Sequence, residues 1–188
     1  PLDAPGKLLA GFFQGVMPRT AGFNSLDTSQ MNPASWLGTD VLMFIGGASA
    51  GTAGGIKVTT FAVLFFVIYA EIRGEGAVNI FHRRLHGDLQ RQALTVVLLS
   101  VAAVAVTTVA FMVFSDHNLD QSLFEVTSAF ATVGLSTGIT ADLPVGLQLL
   151  LVALMFIGRL GPITVASALA LRTRVRLYDL PEERPVIG

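Results

Sequence analysis

Residues 130–138 read FATVGLSTG, and how this stretch is held decides the fold. It contains two glycines, two threonines and a serine, carries no charge, and lies between strongly apolar segments. Loops of soluble proteins are usually hydrophilic and rich in dedicated turn residues. A lipid-facing helix gains nothing from glycines that cost about 1 kcal/mol each relative to alanine. Non-helical backbone at membrane depth is tolerated only where it is buried in protein or lines a watery cavity. The stretch therefore asks for a special environment, and the rest of the chain supplies it.

The chain has 188 residues, of which 52% are hydrophobic and 13% charged. Its mean hydropathy is +0.66. Soluble domains carry about 25% charged residues, so this balance points to a bilayer. No cysteine is present, which removes disulfides and cysteine-ligated metals. A net charge of −1 leaves no nucleic-acid footprint. The start, PLDAPGKLLAGFF, lacks the basic end and cleavage site of a secretory signal, and reads as an internal piece of a longer chain.

Three apolar stretches are long enough to matter. Residues 93–114 hold no charge, and one spanning helix needs about 20 such residues. Thr95, Ser100, Thr107 and Thr108 within it can bond back to their own helix or face neighbours. Residues 143–171 are interrupted by Arg159 and by Gly161-Pro162. Residues 36–70 are interrupted by GGASAGTAGGIK, which puts five glycines between two short apolar arms. The arms together cross the bilayer with a non-helical centre.

Charge sorts the connections. Residues 71–91 carry Arg73, Arg83, Arg84 and Arg91, and the tail carries Arg172, Arg174 and Arg176. The segments between show Asp27, Asp40, Asp116, Asp120, Glu125 and Asp142, with Arg19 the only lysine or arginine in the loops beside them. The positive-inside rule makes the linker and tail cytoplasmic and the acidic loops external. Those acids read either as ordinary solvated loops or as attraction of cations to a pore mouth.

The chain also repeats itself. A shift of 112 positions pairs Phe12 with Phe124, Thr20 with Thr132, Gly22 with Gly134, and MFIG at 43–46 with MFIG at 155–158, without a gap. Each unit is a short apolar segment, a glycine-containing polar turn and a spanning helix. The short segments, 8–17 and 121–131, are about half the length of a span and read as re-entrant or buried helices. A half-helix ending in a Gly-Thr turn presents backbone carbonyls to a cavity, which is how an ion filter replaces a cation's hydration shell. Glycine suits such a turn because it accepts positive φ without a Cβ clash.

MPRTAGFNS, ATVGLSTG, GGASAGTAGGIKVTTF and MFIGRLGPIT together resemble the Trk/Ktr/HKT superfamily of potassium transport proteins, and most of all its Ktr-type membrane subunits. The resemblance runs from about Phe12 to the C-terminus. It implies an all-α membrane protein built of M1-pore-M2 repeats, of which this chain holds the third, without its M1 helix, and the fourth. Residues 1–72 are then the third-repeat pore helix, filter and broken M2, 73–91 the cytoplasmic linker, 92–174 the fourth repeat and 175–188 the tail. The implied filters are Thr20, Ala21, Gly22, Phe23 and Asn24 in one repeat and Thr132, Val133, Gly134, Leu135 and Ser136 in the other. Their backbone carbonyls would coordinate the transported potassium ion. Gly-Phe-Asn and Gly-Leu-Ser replace the Gly-Tyr-Gly of potassium channels, so sodium stays open as a second transported ion.

The stretch Gly46, Gly47, Ala48, Ser49, Ala50, Gly51, Thr52, Ala53, Gly54 and Gly55 resembles the family's intramembrane gating loop, with Lys57 beside it. Arg159 matches the arginine that faces the same cavity. The resemblance further implies uptake across the bacterial plasma membrane by a multi-pass protein and no enzyme activity. Its implied partners are the two remaining repeats, a second copy in a homodimer and a cytosolic nucleotide-binding regulatory ring.

Other readings of these residues remain. An arginine inside an apolar helix costs at least about 2.5 kcal/mol and must face protein or water, so Arg159 is either a pin to carbonyls or a positive barrier. Lys57 either snorkels, bonds loop carbonyls or takes part in gating. The glycines of 46–55 either form a loop or let helices approach closely. Glu125 is read as a cap or brace of the pore helix with no transport role. Ser49 in GGASAG is similar to the nucleophile of rhomboid intramembrane proteases, which would need a histidine base in a membrane helix. His82, His86 and His117 all fall in expected loops. Lys57 follows Ile56 and precedes Val58, which rules out a phosphate-cradling Gly-Lys-Ser/Thr. A non-transporting membrane scaffold would leave the repeated turns without a purpose.

Overall fold

The computed structural model describes residues 3–49, 51–75, 77–80 and 83–161. Ala50, His82, Pro162 and the tail arginines Arg172, Arg174 and Arg176 lie outside the described residues. Among the described residues six α-helices dominate: α1 (Ala4–Val16), α2 (Pro33–Ile45), α3 (Val58–Ile72), α4 (Gly87–Phe114), α5 (Leu119–Phe130) and α6 (Val145–Leu160). The strands among them are a short antiparallel pair, β1 (Asn79–Ile80) and β2 (Arg83–Arg84), in the linker.

Local chemistry sets the boundaries. Asp3 accepts from the Gly6 amide at 3.1 Å and Asn32 from the Ala34 amide at 2.9 Å, each with a proline in the first helical turn. Proline there has no amide to waste and a φ already suited to a helix. The expected break inside 36–70 is present: α2 stops at Gly46, φ +70, and α3 begins at Val58. α4 starts at Gly87, six positions before the uncharged stretch, because Asp88 favours a helix N-terminus and the polar residues after it are good helix formers.

α5 is the hub. It is 12 residues long, about 18 Å at 1.5 Å per residue, against about 30 Å of hydrocarbon. Its residues from Phe124 to Phe130 are all buried, and it packs against α2, α4 and α6. On the α2 side, Trp36, Thr39, Asp40 and Met43 form one buried stripe at helical spacing. There the Trp36 and Phe124 rings sit 6.5 Å apart. The Trp36 indole donates to the Thr28 carbonyl at 2.8 Å and ties in the preceding turn. On the other side, Val104 and Phe111 of α4 and Leu147, Leu151 and Leu154 of α6 close around Val126 and Phe130.

α4 buries hydroxyls beside its core residues Val104 and Phe111 and turns other apolar side chains outward. Ser100, Thr107 and Thr108 are buried, whereas Val106, Val109, Val113 and Phe114 are exposed. Thr95, Ser100 and Thr108 bond back to the carbonyls four residues earlier, so the hydroxyls complete the helix's own ladder. α4 is, among the described residues, the one helix long and apolar enough by itself to cross a membrane. α3 and α6 are shorter apolar helices. No residue of α1 is buried, and Leu8, Leu9, Phe12 and Val16 lie open on it.

Two of the acids grouped with the external loops are buried inside helices. Asp40 belongs to the buried stripe of α2 and Glu125 to the centre of α5. Asp27 does lie in a turn, where the hydroxyl and amide of Ser29 donate to it and hold its carboxyl below the usual range.

Candidate functional site

The 130–138 stretch leaves α5 through a sharp reversal. The Thr132 amide donates to Ala129 O at 3.0 Å and the Val133 amide to Ser128 O at 2.9 Å, the paired bonds of a Schellman ending. Glycine normally takes the left-handed position there, yet Thr132 occupies it at φ +54. A β-branched residue in that region is strained by about 1–3 kcal/mol. Thr20 sits at φ +68, and Gly22 and Gly134 at φ +70 and +93. Positions 112 apart thus share the same unusual backbone.

After the turn the chain runs extended with alternating burial. Ala131, Val133, Leu135, Thr137 and Ile139 are buried, while Thr132 and Ser136 are half-buried and Gly134 and Gly138 exposed. Val133 and Leu135 join the core with Trp36, Met43 and Phe124, which anchors the ribbon on one side. The two turns meet through backbone: a Cβ on Gly22 would lie 2.1 Å from the Val133 carbonyl oxygen. Thr20, Ala21, Gly22, Phe23 and Asn24 are otherwise loosely held, with Phe23 70% exposed.

Glu125 stands behind the ribbon and is 4% exposed. Its Oε1 accepts from Ser136 Oγ at 2.6 Å, the Thr137 amide at 2.8 Å and Thr137 Oγ1 at 3.1 Å. Its Oε2 accepts from Thr140 Oγ1 at 2.8 Å. A buried carboxylate is tolerated when its lone pairs are filled in this way. Sequence reading took Glu125 as bracing its own helix; its partners are instead on the ribbon. The signal available was a hydroxyl cluster, Ser136, Thr137 and Thr140, following an acid in an apolar helix. Ser128 of the same helix donates to the Leu135 carbonyl at 2.6 Å, so that carbonyl is engaged from inside.

The glycine-rich stretch is an irregular loop, and its glycines also make close approaches. A Cβ on Gly54 would lie 2.6 Å from Ala131 O and 2.8 Å from Thr132 Oγ1, directly against the turn. Ala53, Gly54, Gly55 and Ile56 are buried, whereas Ala48, Ser49, Gly51 and Thr52 form an exposed tip. Lys57, at φ +75, donates from Nζ to the Ala53 carbonyl, the loop-bonding alternative for this side chain. It lies within the field of Arg159. Arg159 Nη1 donates to Thr132 Oγ1 at 3.3 Å. Two cations thus converge where loop, turn and α6 meet. Ser49 pairs with the Thr59 hydroxyl rather than with a histidine. His86 and His117 lie outside the helices, at the α4 N-cap and before α5.

The class this arrangement defines is a helical bundle built around a short central helix, with a strained turn at that helix's C-terminal end. The family model for TrkH, described as a cation transport protein, matches residues 1–173. The chain belongs to this family, whose members are membrane cation transporters. It is 38% identical over 187 residues to the Ktr system potassium uptake protein B of Vibrio alginolyticus, covering 100% of this chain and 41% of that protein. It is 42% identical over 164 residues to the protein of the same name from Bacillus subtilis, covering 87% and 37%. It is 37% identical over 188 residues to the potassium/sodium uptake protein NtpJ of Enterococcus hirae, covering 97% and 42%. The chain spans about two fifths of the length of these relatives.

Proposed function

We propose that the chain forms two pore repeats of a multi-pass plasma-membrane subunit that takes up potassium, with sodium as a second transported ion. The observation that carries this reading is the pair of left-handed turns at Thr20–Gly22 and Thr132–Gly134, meeting at the Val133 carbonyl. The carbonyls of Thr20, Ala21 and Gly22 and of Thr132, Val133 and Gly134 are the cation ligands in this reading. The Leu135 carbonyl is taken by Ser128. α5 points its C-terminus at the turn, so the negative end of its dipole faces the ion. The apolar outer faces of α3, α4 and α6 suit lipid. The uncovered α1 suits a place against the remaining two repeats of the complete subunit. Passage is passive and driven by the electrochemical gradient. A second copy and a cytosolic nucleotide-binding ring complete the assembly and control the gate.

The gate in this reading is the exposed tip of the glycine-rich loop together with Lys57 and Arg159. Two unit charges 6 Å apart interact by about 3 kcal/mol at an effective dielectric of 20. Half of that slows passage about tenfold. Arg159→Gln in the complete subunit removes the charge but keeps a donor for Thr132. Flux per folded subunit in proteoliposomes is expected to rise several-fold. Wild-type flux from this variant would reject the barrier role and leave Arg159 a pin.

Deleting residues 48–52 tests the loop itself. It removes the exposed tip and leaves Gly54 against the turn, so flux per folded subunit is expected to increase. A parallel fall in yield and flux would mean that the loop only packs helices.

A further inference from the structure

We infer that Glu125 is the positioning residue that fixes the fourth-repeat ribbon and thereby sets its ion preference. The inference rests on the proposed reading of residues 132–136 as a filter. Among the described residues, every hydrogen-bond donor to the carboxylate lies after Gly134, between Ser136 and Thr140, and both carboxylate oxygens are used. Glu125 and Ser128 are three apart on one face of α5, and Ser128 takes the Leu135 carbonyl. One helix face therefore grips the back of the ribbon from Leu135 to Thr140, while the other side of Gly134 stays open.

The grip matters because the ribbon has room to move. A partly open pocket of about 330 Å³ lies beside it, lined by Glu125, Ser128, Thr132, Gly134, Ser136 and Thr140. Were those bonds absent, the hydroxyls would rotate into this space and the peptide planes around Gly134 would lose their fixed direction. A coordination site whose carbonyls wander discriminates poorly between cations of different radius.

The two repeats differ at this point. The shift of 112 puts Phe13 at the position of Glu125 and Asn24 at that of Ser136. Phenylalanine has no acceptor. The nearby Asp27 spends its oxygens inside its own turn, on Ser29 and Gln30. The fourth-repeat ribbon is accordingly the rigid one, and the third-repeat turn conforms to it.

The test measures the ratio of potassium to sodium flux in proteoliposomes of the complete subunit, at equal amounts of folded protein. Glu125→Ala should shift the ratio at least tenfold while flux persists. Glu125→Gln keeps an acceptor for Ser136 and Thr137 and offers its amide to the Thr140 hydroxyl, and should return the ratio to within about twofold of wild type. Ser136→Ala combined with Thr140→Val leaves the charge and removes two of its partners, and should shift the ratio at least threefold. An unchanged ratio in Glu125→Ala overturns the inference. So does a Gln variant as impaired as Ala beside an unaltered double variant, which would make the charge itself the agent. If Glu125→Ala yields no folded protein, the double variant decides: a shifted ratio supports positioning and an unshifted one overturns it. Gly134→Ser, run alongside, separates the two levels. No effect from Gly134→Ser sinks the filter reading, whereas an effect there with none from the Glu125 set sinks only the positioning role.

Discussion

Gly134→Ser in the complete subunit is expected to shift the ratio of potassium to sodium flux at least tenfold at unchanged expression. Gly134 holds φ +93, where an L-residue with a Cβ is strained. Space is not the obstacle, because the nearest atom to an added Cβ is the Gly22 Cα at 4.0 Å. The protein can therefore fold with serine in place, and the strain, about 1–3 kcal/mol, is relieved by turning the adjoining peptide planes. Those planes carry the proposed ligands, and each 1.4 kcal/mol lost in coordination is about tenfold in rate. Complementation of a potassium-uptake-deficient strain, together with the flux ratio, gives the readout. Wild-type behaviour in both would remove Gly134 from the ion path.

Gly158→Ala is expected to fail differently, by loss of folded protein rather than of preference. A Cβ there would lie 1.8 Å from Phe130 O and 2.8 Å from Phe130 C, backbone atoms at the end of α5 that have no rotamer to yield. α6 has to move away from α5 and open the core of Val126, Phe130, Leu151 and Leu154. Overpacking of this kind typically costs about 1–3 kcal/mol and at times more. Thermal unfolding in detergent should show a lower midpoint and a smaller folded fraction by size-exclusion. Gly138→Ala makes the contrast, since nothing lies within 4 Å of an added Cβ there, although its φ of +95 still strains the backbone. Equal stability of the Gly158 variant and wild type would mean that α6 does not press on α5.

Much of this was readable from the chain itself. The interruption between α2 and α3, the short α5 and the paired turns each left a mark in hydropathy, length or spacing. Hydropathy found the uncharged part of α4 but not its first turn, because helix formers such as Gln90 and Arg91 are as polar as any loop. The β1–β2 pair has two residues a side, too few for alternation to register. The formal charges of Asp40 and Glu125 suggest solvated loops, whereas both side chains are buried inside helices. Trp36 and Met43 on either side of Asp40 at helical spacing carry the better signal. Glu125's partners lie 11 to 15 positions away across a turn, a separation no helical or strand period marks.

The central place of α5 bears on how the chain is made. Twelve residues that include Asp120 and Glu125 are too short and too polar to partition into lipid unaided as they leave the ribosome. α2 and α4 precede α5 and α6 follows it, so one of the three helices that line α5 is synthesised after α5 itself. The last side of that lining is closed only when α6 is in place, with Leu147, Leu151 and Leu154 against Val126 and Phe130. The ribbon of 131–139 leads from α5 toward α6, so its two ends are fixed only once both helices are packed.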